Sequence, residues 1–589
     1  MILANNPIVY LTRMAWRHTP RKSVVVLYVS LTVVANSLSL LEPLVMAQAY
    51  NIIQQEGVAQ WSSLKSICFW LLVRLALCPL FWIFHGVSRV IERKNAFMVK
   101  ANYRNYLTEG VLSLSSDWHS SHHSGDIIDK VNKGTSAIYR FAADSFELVQ
   151  MAARLIGACV MLFYFETIGG AISVITIVLV AVLIVSFDKV LIKQYKKLNL
   201  MENKITEKIF DVISNINTVI ILRVEHLAQR SIKKSVMEPY QLQTKNNKIN
   251  EVKWFLVSLG STVMLVLVFS SYLLKYHWLG LPIMLGSVMA VVDYAGRITD
   301  SFFNFAGIYS DKVVQKASVM NSEILAVDFP PIGKNSGSKI LHQWEALRIN
   351  SLNFSYHSND EDLHLDDVSL TIKRGSKIAF IGKSGSGKTT MLKVMRELFP
   401  PSNVEVYLDD KLLQNGFNDI SGSIALIPQD PDIFAASIGE NITMGLDVEE
   451  SKLKRFTDLA CFSGVLAKLP RGLNSFIFER GVNLSGGEKQ RLALARGLMV
   501  CEDKDILLLD EPTSSVDSDN ERTIYDNIFQ TFPEKTIISS IHSLHLLPQF
   551  DQICLFEDGK IVASGTFQDL LDNSEYFQDL WSKYQDSSD

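Results

Sequence analysis

The stretch NLSGGEKQRLALARG, residues 483–497, sets Ser485, Gly486 and Gly487 directly ahead of a helix-forming run. A Ser-Gly-Gly turn at a helix N-terminus offers backbone N–H groups to an anion. Yet a complete phosphate-binding pattern already stands upstream, in SKIAFIGKSGSGKTTMLKVMREL, residues 376–398. There SKIAFI reads as a buried strand, and the residues from Gly382 onward as a loop opening a helix. That is the setting the pattern GxxxxGK[ST] requires. Gly382, Gly385 and Gly387 let the backbone wrap a polyphosphate, and the amides from Ser384 to Thr389 point at its oxygens. Lys388 brings a point charge to the outer phosphates, and the Thr389 hydroxyl can ligate Mg²⁺. Lys383, Ser386 and Thr390 complete the expected nucleotide-contacting set.

DILLLDEP, residues 505–512, supplies the second part of such a site. Four apolar residues make a buried strand that ends in Asp510 and Glu511. A carboxylate at that end of a parallel sheet lies beside the phosphate loop and can hold Mg²⁺. Glu511, one residue on, is placed to polarise an attacking water. One nucleotide does not need two cradles from one domain. The economical reading is that Ser485–Gly487 completes the site of a second subunit, with two copies packed head to tail around two ATP molecules. An ordinary helix cap is the alternative.

LSGGEKQR beside the phosphate loop and ILLLDE resembles the ATP-binding cassette. The whole chain is similar to a half-size ABC transporter of the exporter fold. The fold class implied is a six-span α-helical membrane domain fused to an α/β P-loop cassette. The resemblance implies the head-to-tail ATP sandwich, and it implies roles for further residues. Tyr356, in LNFSYHS, would stack on adenine. Gln429, in LIPQDPDIF, would contact Mg²⁺, giving Thr389, Gln429 and Asp510 as the metal set. SSVD, residues 514–517, would couple the two ATP sites. His542, in TIISSIHSL, would contact the γ-phosphate, so Glu511, His542 and Lys388 form the expected catalytic set. FERGVNLSGG resembles the segment that touches the membrane domain, with Phe478 where glycine is common, and Ser543 follows His542 where arginine is common.

The membrane half is read from hydropathy. A bilayer-spanning helix needs roughly 20 apolar residues. Six stretches qualify: 24–46, 64–88, 143–165, 168–187, 252–274 and 279–298. They come in pairs with short connections inside a pair and long, helix-patterned connections between pairs. Arg13, Arg17, Arg21 and Lys22 precede the first stretch, and Lys189, Lys193, Lys196, Lys197, Lys204 and Lys208 follow the fourth. This asymmetry places the N-terminus, the long connections and the cassette in the cytoplasm. Turns are expected near SSDWHSSHHSGDIIDKV and NINTVIILRVEH; GDIIDKV and INTVIILRVE resemble the exporter turns that press on the cassettes. The expected domains are a membrane domain over 1–325, a linker over 326–343 and a nucleotide-binding domain over 344–589.

Composition narrows the function. A net charge of −4 gives no case for a nucleic-acid partner. Six scattered cysteines form no CxxC, which argues against a disulfide framework or zinc site. His119, His122 and His123 fall in an expected solvated turn. Arg74, Arg154, Glu147 and Asp293 fall in or beside apolar spans, where ionisable groups mark a polar cargo cavity or structural ion pairs. The expectation is ATP-driven export of an amphipathic small molecule, lipid or peptide by a dimer in a lipid bilayer. The second half-transporter would be an identical subunit and the location a bacterial inner membrane. An exporter-fold importer of siderophore-like cargo and an ATP-gated regulatory protein are the alternatives.

Overall fold

The computed structural model describes residues 6–330, 344–356, 363–430, 432–477 and 484–588. The chain divides into two compact units, one over residues 1–114 and 118–330, the other over 115–117 and 331–589.

The first unit is helical. It opens with α1 (Pro7–His18), α2 (Lys22–Ser39), α3 (Glu42–Glu56) and α4 (Trp61–Leu112). It continues with α5 (Ser116–Ser121), α6 (Ser124–Ala143), α7 (Ser145–Phe165) and α8 (Thr167–Ser214). It closes with α9 (Ile216–Ile221), α10 (Glu225–Met237), α11 (Tyr240–Leu279) and α12 (Leu285–Glu323). Both expected long turns are short six-residue helices, α5 and α9.

Among the described residues, five helical stretches are long and apolar enough to cross a membrane. The sixth expected span falls on α12, which has 39 residues but carries Asp293, Arg297 and Asp300 in its first half. Two boundaries differ from the sequence reading. α11 runs on to Leu279, where Gly280 takes a left-handed backbone (φ +63°). Residues 281–284 are not helical, because Pro282 lacks the N–H a helix would need. The first span is not one helix either. It breaks at Leu40–Leu41, just ahead of Pro43 in the first turn of α3. Carbonyls freed by the break are satisfied from α12: Tyr294 Oη donates to Leu40 O at 2.6 Å and Arg297 Nη1 to Ser39 O at 3.1 Å.

A second break, at Asp144, separates α6 from α7. Here the buried Glu92 of α4 accepts from Phe146 N and from Ser145 Oγ, each at 2.7 Å. A carboxylate at a helix N-terminus satisfies orphan donors and suits the helix dipole. The expected linker begins with ordered chain: Leu325–Val327 forms a 3₁₀ turn and the Phe329 ring packs against Tyr106, 5.8 Å between centroids. Residues 331–343 lie outside the described residues.

The second unit holds two sheets. Its strands are β1 (Ala346–Phe354), β2 (Leu365–Lys373), β3 (Lys377–Gly382), β4 (Asn403–Leu408) and β5 (Lys411–Leu412). They are followed by β6 (Ile424–Ile427), β7 (Ile506–Asp510), β8 (Thr536–Ser540), β9 (Gln552–Glu557) and β10 (Lys560–Gly565). An antiparallel sheet has the order β2-β1-β4-β5; the main sheet has the order β10-β9-β3-β8-β7-β6, parallel except for β10 at the edge. Both faces of the main sheet are covered, which is why its strands read as unbroken apolar runs. Ile378, Phe380, Leu508 and Ile538 join the core shared with the antiparallel sheet. Ala379, Ile381, Leu507, Leu509 and Ile537 point the other way, under the helices. Each of these Ile, Leu and Phe side chains contributes roughly 1.5–3 kcal/mol on burial.

One buried ion pair crosses the helical unit. Lys253 Nζ of α11 lies 3.2 Å from Asp188 Oδ1 of α8 and 3.0 Å from Ser310 Oγ of α12. Both charged side chains are essentially inaccessible, at 0% and 3% exposure. Removing one partner of such a pair costs about 3–5 kcal/mol, whereas replacing both with apolar groups is often neutral. Lys253→Met should therefore lower the apparent melting temperature of the purified protein clearly, and Lys253→Met with Asp188→Leu should recover most of that loss. Equal losses in the single and double variants would contradict this account of the pair.

Candidate functional site

The main sheet sets the C-terminal ends of β3, β8, β7 and β6 side by side. Those four ends carry the phosphate loop, His542, the Asp510–Glu511 corner and Gln429. The edge beyond the strand carboxyl ends is where α/β sheets bind ligands.

The loop after β3 takes backbone conformations that favour glycine: φ is +146° at Gly382, +83° at Gly385 and +106° at Gly387. A Cβ on Gly382 would run into Phe556 O, so this position has no room for a side chain. Gly387 is the N-cap of the helix Lys388–Met395. Lys388 Nζ lies across the loop, 2.8 Å from Gly382 O and 3.1 Å from Lys383 O. Burial pushes its ammonium below its ordinary value, against the pull of Glu511 and Asp510. Ser386 Oγ is buried with no hydrogen-bond partner among the described residues. A buried hydroxyl left open in a glycine-rich loop at a helix N-terminus suits a polyphosphate.

Asp510 is the hub. Its Oδ1 accepts from Thr389 Oγ1 at 2.8 Å and from Ser540 Oγ at 2.8 Å. Glu511 turns the other way on a left-handed backbone, φ +45°. That conformation costs a non-glycine residue roughly 1–2 kcal/mol. Gln429 Nε2 donates to Glu511 Oε2 at 2.6 Å, and His542 Nε2 lies 2.7 Å from Glu511 Oε1. Glu511 N donates to Ser540 Oγ at 2.9 Å. Thr389, Asp510, Gln429, Glu511 and His542 thus form one connected set, and a hydroxyl–carboxylate–amide donor set of this kind suits Mg²⁺. Gln429 spends its amide N–H on Glu511 here.

Tyr356 is 39% exposed and stands among Phe354, His364 and Phe399, with ring centroids at 4.9, 4.9 and 5.2 Å. Its hydroxyl lies 3.3 Å from Thr390 Oγ1, at the start of the phosphate-loop helix. An exposed ring beside that loop is open to stack on a base.

Ser485 caps the helix Gly486–Val500. Its Oγ accepts from Glu488 N at 3.3 Å, and Glu488 Oε2 accepts from Ser485 N at 2.8 Å, a reciprocal capping box. That N–H holds the Glu488 carboxyl below the usual carboxylate range. Among the described residues no hydrogen bond joins Ser485, Gly486 or Gly487 to the phosphate loop of the same chain. A Cβ on Gly487 would sit 2.5 Å from Ser515 O, so glycine is needed for the turn to meet SSVD. Residues 478–483, the whole of FERGVN including Phe478, lie outside the described residues.

Three contributors are absent from the sequence reading. Ser540 bridges Asp510 and Glu511. Gln490 donates to Ser514 Oγ at 2.8 Å and to Gln429 O at 3.3 Å, and its Oε1 accepts from Ser515 N at 2.8 Å. Thr513 Oγ1 donates to the buried Glu521 Oε1 at 2.7 Å. The only sequence signal for Ser540 is a pair of serines closing the apolar run TIISS.

The helical unit holds a polar cavity of about 640 Å³ lined in part by Glu42, Glu147, Arg154, Asp293, Arg297 and Asp300. Arg74 Nη1 lies 2.7 Å from Glu42 Oε1, and Arg297 reaches Glu42 Oε2 at 3.3 Å and Asp293 Oδ2 at 2.9 Å. Arg74 and Asp293 are thus linked through Glu42 and Arg297, while Arg154 Nε donates to Asn36 Oδ1 at 3.1 Å. Of the three histidines in the first turn, His122 stacks on Trp118 at 4.0 Å. No group of three or more His, Cys, Asp or Glu side chains that could hold a metal ion occurs among the described residues.

Residues 25–292 match the ABC transporter transmembrane region, and residues 365–514 match the ABC transporter family. The chain is 26% identical to the multidrug resistance-like ATP-binding protein MdlB of Buchnera aphidicola subsp. Schizaphis graminum, over 85% of this chain and 85% of that protein. It is 28% identical to the mitochondrial iron-sulfur clusters transporter ATM1 of Candida glabrata, over 81% of this chain and 66% of that protein. The fold resembles that of a bacterial Atm1-family ABC exporter with ATP bound, with TM-score 0.82, 18% identity, and 96% and 98% of the two chains covered. With the two matches side by side on one chain and the phosphate loop, Asp510 and Glu511 assembled on one sheet edge, the protein belongs to the ABC transporters, as a half-size exporter that dimerises in a membrane and couples ATP hydrolysis to transport.

Proposed function

We propose that two identical copies of this chain form an exporter of a bacterial inner membrane, with both cassettes in the cytoplasm. The membrane domain ends near residue 325, and the linker over 326–343 leads into the cassette. The cargo is an amphipathic small molecule, lipid or peptide with a charged part, taken into the cavity that Arg154, Asp293 and Arg297 line. The observation that carries the reading is the connected set Thr389–Asp510–Glu511–His542.

In this reading Tyr356 stacks on adenine, and the loop amides with Lys388 bind the phosphates. Thr389, Gln429 and Asp510 would hold Mg²⁺, which when bound would neutralise charge on the phosphate oxygens. Glu511 polarises the water that attacks the γ-phosphorus and takes its proton as the bond to ADP breaks. His542 leaves Glu511 for the γ-phosphate. Ser485 and Gly487 of each copy close the ATP site of the other, which fits the absence of any hydrogen bond from this turn to its own loop. Closing and reopening of the cassettes then drives the membrane domain between inward- and outward-facing states. A complete set of hydrolytic groups favours a transporter over an ATP-gated regulator.

Glu511→Gln should retain ATP binding and lose turnover by roughly 10²–10⁴-fold, the usual contribution of a general base. Steady-state ATPase activity in lipid nanodiscs reads this, and near-normal turnover would overturn the assignment. Co-assembled Lys388→Ala and Gly487→Ala subunits test the sandwich. Sharing across copies leaves one intact ATP site in the mixed dimer, so its ATPase activity should exceed that of either parent homodimer. If each site were built within one chain, mixing would restore nothing.

A further inference from the structure

We propose that Ser540 is the positioning residue that sets the Asp510–Glu511 corner for hydrolysis. The proposal rests on the roles given above to Asp510 and Glu511. Ser540 closes β8 and pairs in register with Asp510 of β7. It is 1% exposed, so its hydroxyl has no water to turn to. Its one O–H donates to Asp510 Oδ1 at 2.8 Å, and its oxygen accepts from Glu511 N at 2.9 Å. One hydroxyl therefore ties the carboxylate of the first acid to the backbone of the second.

The two bonds do different work. The bond to Asp510 fixes the carboxylate rotamer independently of Thr389, the other donor to the same oxygen. Thr389 is also an expected Mg²⁺ ligand, so its hydroxyl has a competing partner when the metal binds, and Ser540 has none. The bond from Glu511 N pins the peptide just where the strand gives way to a left-handed residue, φ +45°. That turn aims the Glu511 carboxylate at Gln429 and His542 instead of continuing the alternation of the strand. Without the hydroxyl, Glu511 N would be a buried donor with no acceptor in this arrangement, and the corner would relax toward ordinary strand geometry. Ser540 touches neither nucleotide nor water in this account and acts only through the two acids.

The test uses the full-length dimer in nanodiscs, with Ser540→Ala, Ser540→Thr and Glu511→Gln in parallel. Ser540→Ala should lower kcat at least tenfold while ATP affinity measured without Mg²⁺ stays within twofold of wild type. The Mg²⁺ concentration that half-saturates its effect on binding of a fluorescent ATP analogue should rise severalfold. Ser540→Thr, which restores the hydroxyl, should recover most of both. A kcat for Ser540→Ala within twofold of wild type would overturn the proposal. So would equal losses in Ser540→Ala and Ser540→Thr, which would make the effect one of packing. If Ser540→Ala fails to fold, Ser540→Cys keeps the volume with a poor hydrogen-bonding group and is read by the same criteria. Normal turnover in Glu511→Gln would instead sink the underlying site assignment, whatever the Ser540 variants do.

Discussion

Two neighbouring carboxylates at the end of one buried strand impose the constraint around which the cassette is built. Continuing the alternation of the strand would send Glu511 to the opposite face of the sheet, away from the strand ends beside which Gln429 and His542 lie. The chain resolves this by turning Glu511 onto a left-handed backbone, so that Asp510 faces Thr389 and Ser540 while Glu511 faces Gln429 and His542. The conformation is unfavourable for a residue with a side chain, and it persists because Ser540 at the end of β8, with Gln429 and His542 just beyond β6 and β8, holds it. The apolar runs of the main sheet have the same purpose. Packed on both faces, they fix the four strand ends that carry these groups.

The helical unit faces the opposite problem. Polar backbone inside an apolar medium must find partners within the protein. Two interruptions in its helices are answered by side chains from a different helix. Tyr294 and Arg297 serve the break before Glu42, and Glu92 serves the start of α7. At the first break Arg297 also lines the polar cavity, where it grips Glu42 and Asp293. A broken helix whose open carbonyls and ion pairs border a cavity is the arrangement by which transporters build polar sites at depth.

How much of this was legible beforehand depended on whether the signal was local. The glycine-rich loop from β3 into the following helix was legible, because Gly382, Gly385 and Gly387 are demanded by its backbone conformation within six residues. ILLLD was legible because burial on both faces leaves an unbroken apolar run. Gly280 and Pro282 were present as a helix-stop signal, yet hydropathy drew the fifth span short and the sixth too early. The break before Pro43 was hidden by apolar residues on both sides. Ser540 was illegible for a different reason. Its meaning lies in the pairing of β7 with β8, which brings it beside Asp510 from 30 residues away. Ser485 reads the same way for two roles, since a helix cap and a phosphate donor to a partner use the same turn.

In the proposed exporter, ATP hydrolysis at this corner drives cargo across a membrane. The most direct measurement is accumulation in inside-out vesicles that contain the protein, bathed in a cell extract with either ATP or a non-hydrolysable analogue and read by untargeted mass spectrometry. At least one compound, bearing both a charged and an apolar part, should be enriched inside the vesicles with ATP and not with the analogue. Brisk ATP hydrolysis with no compound moved, in these vesicles or in right-side-out ones, would contradict that reading.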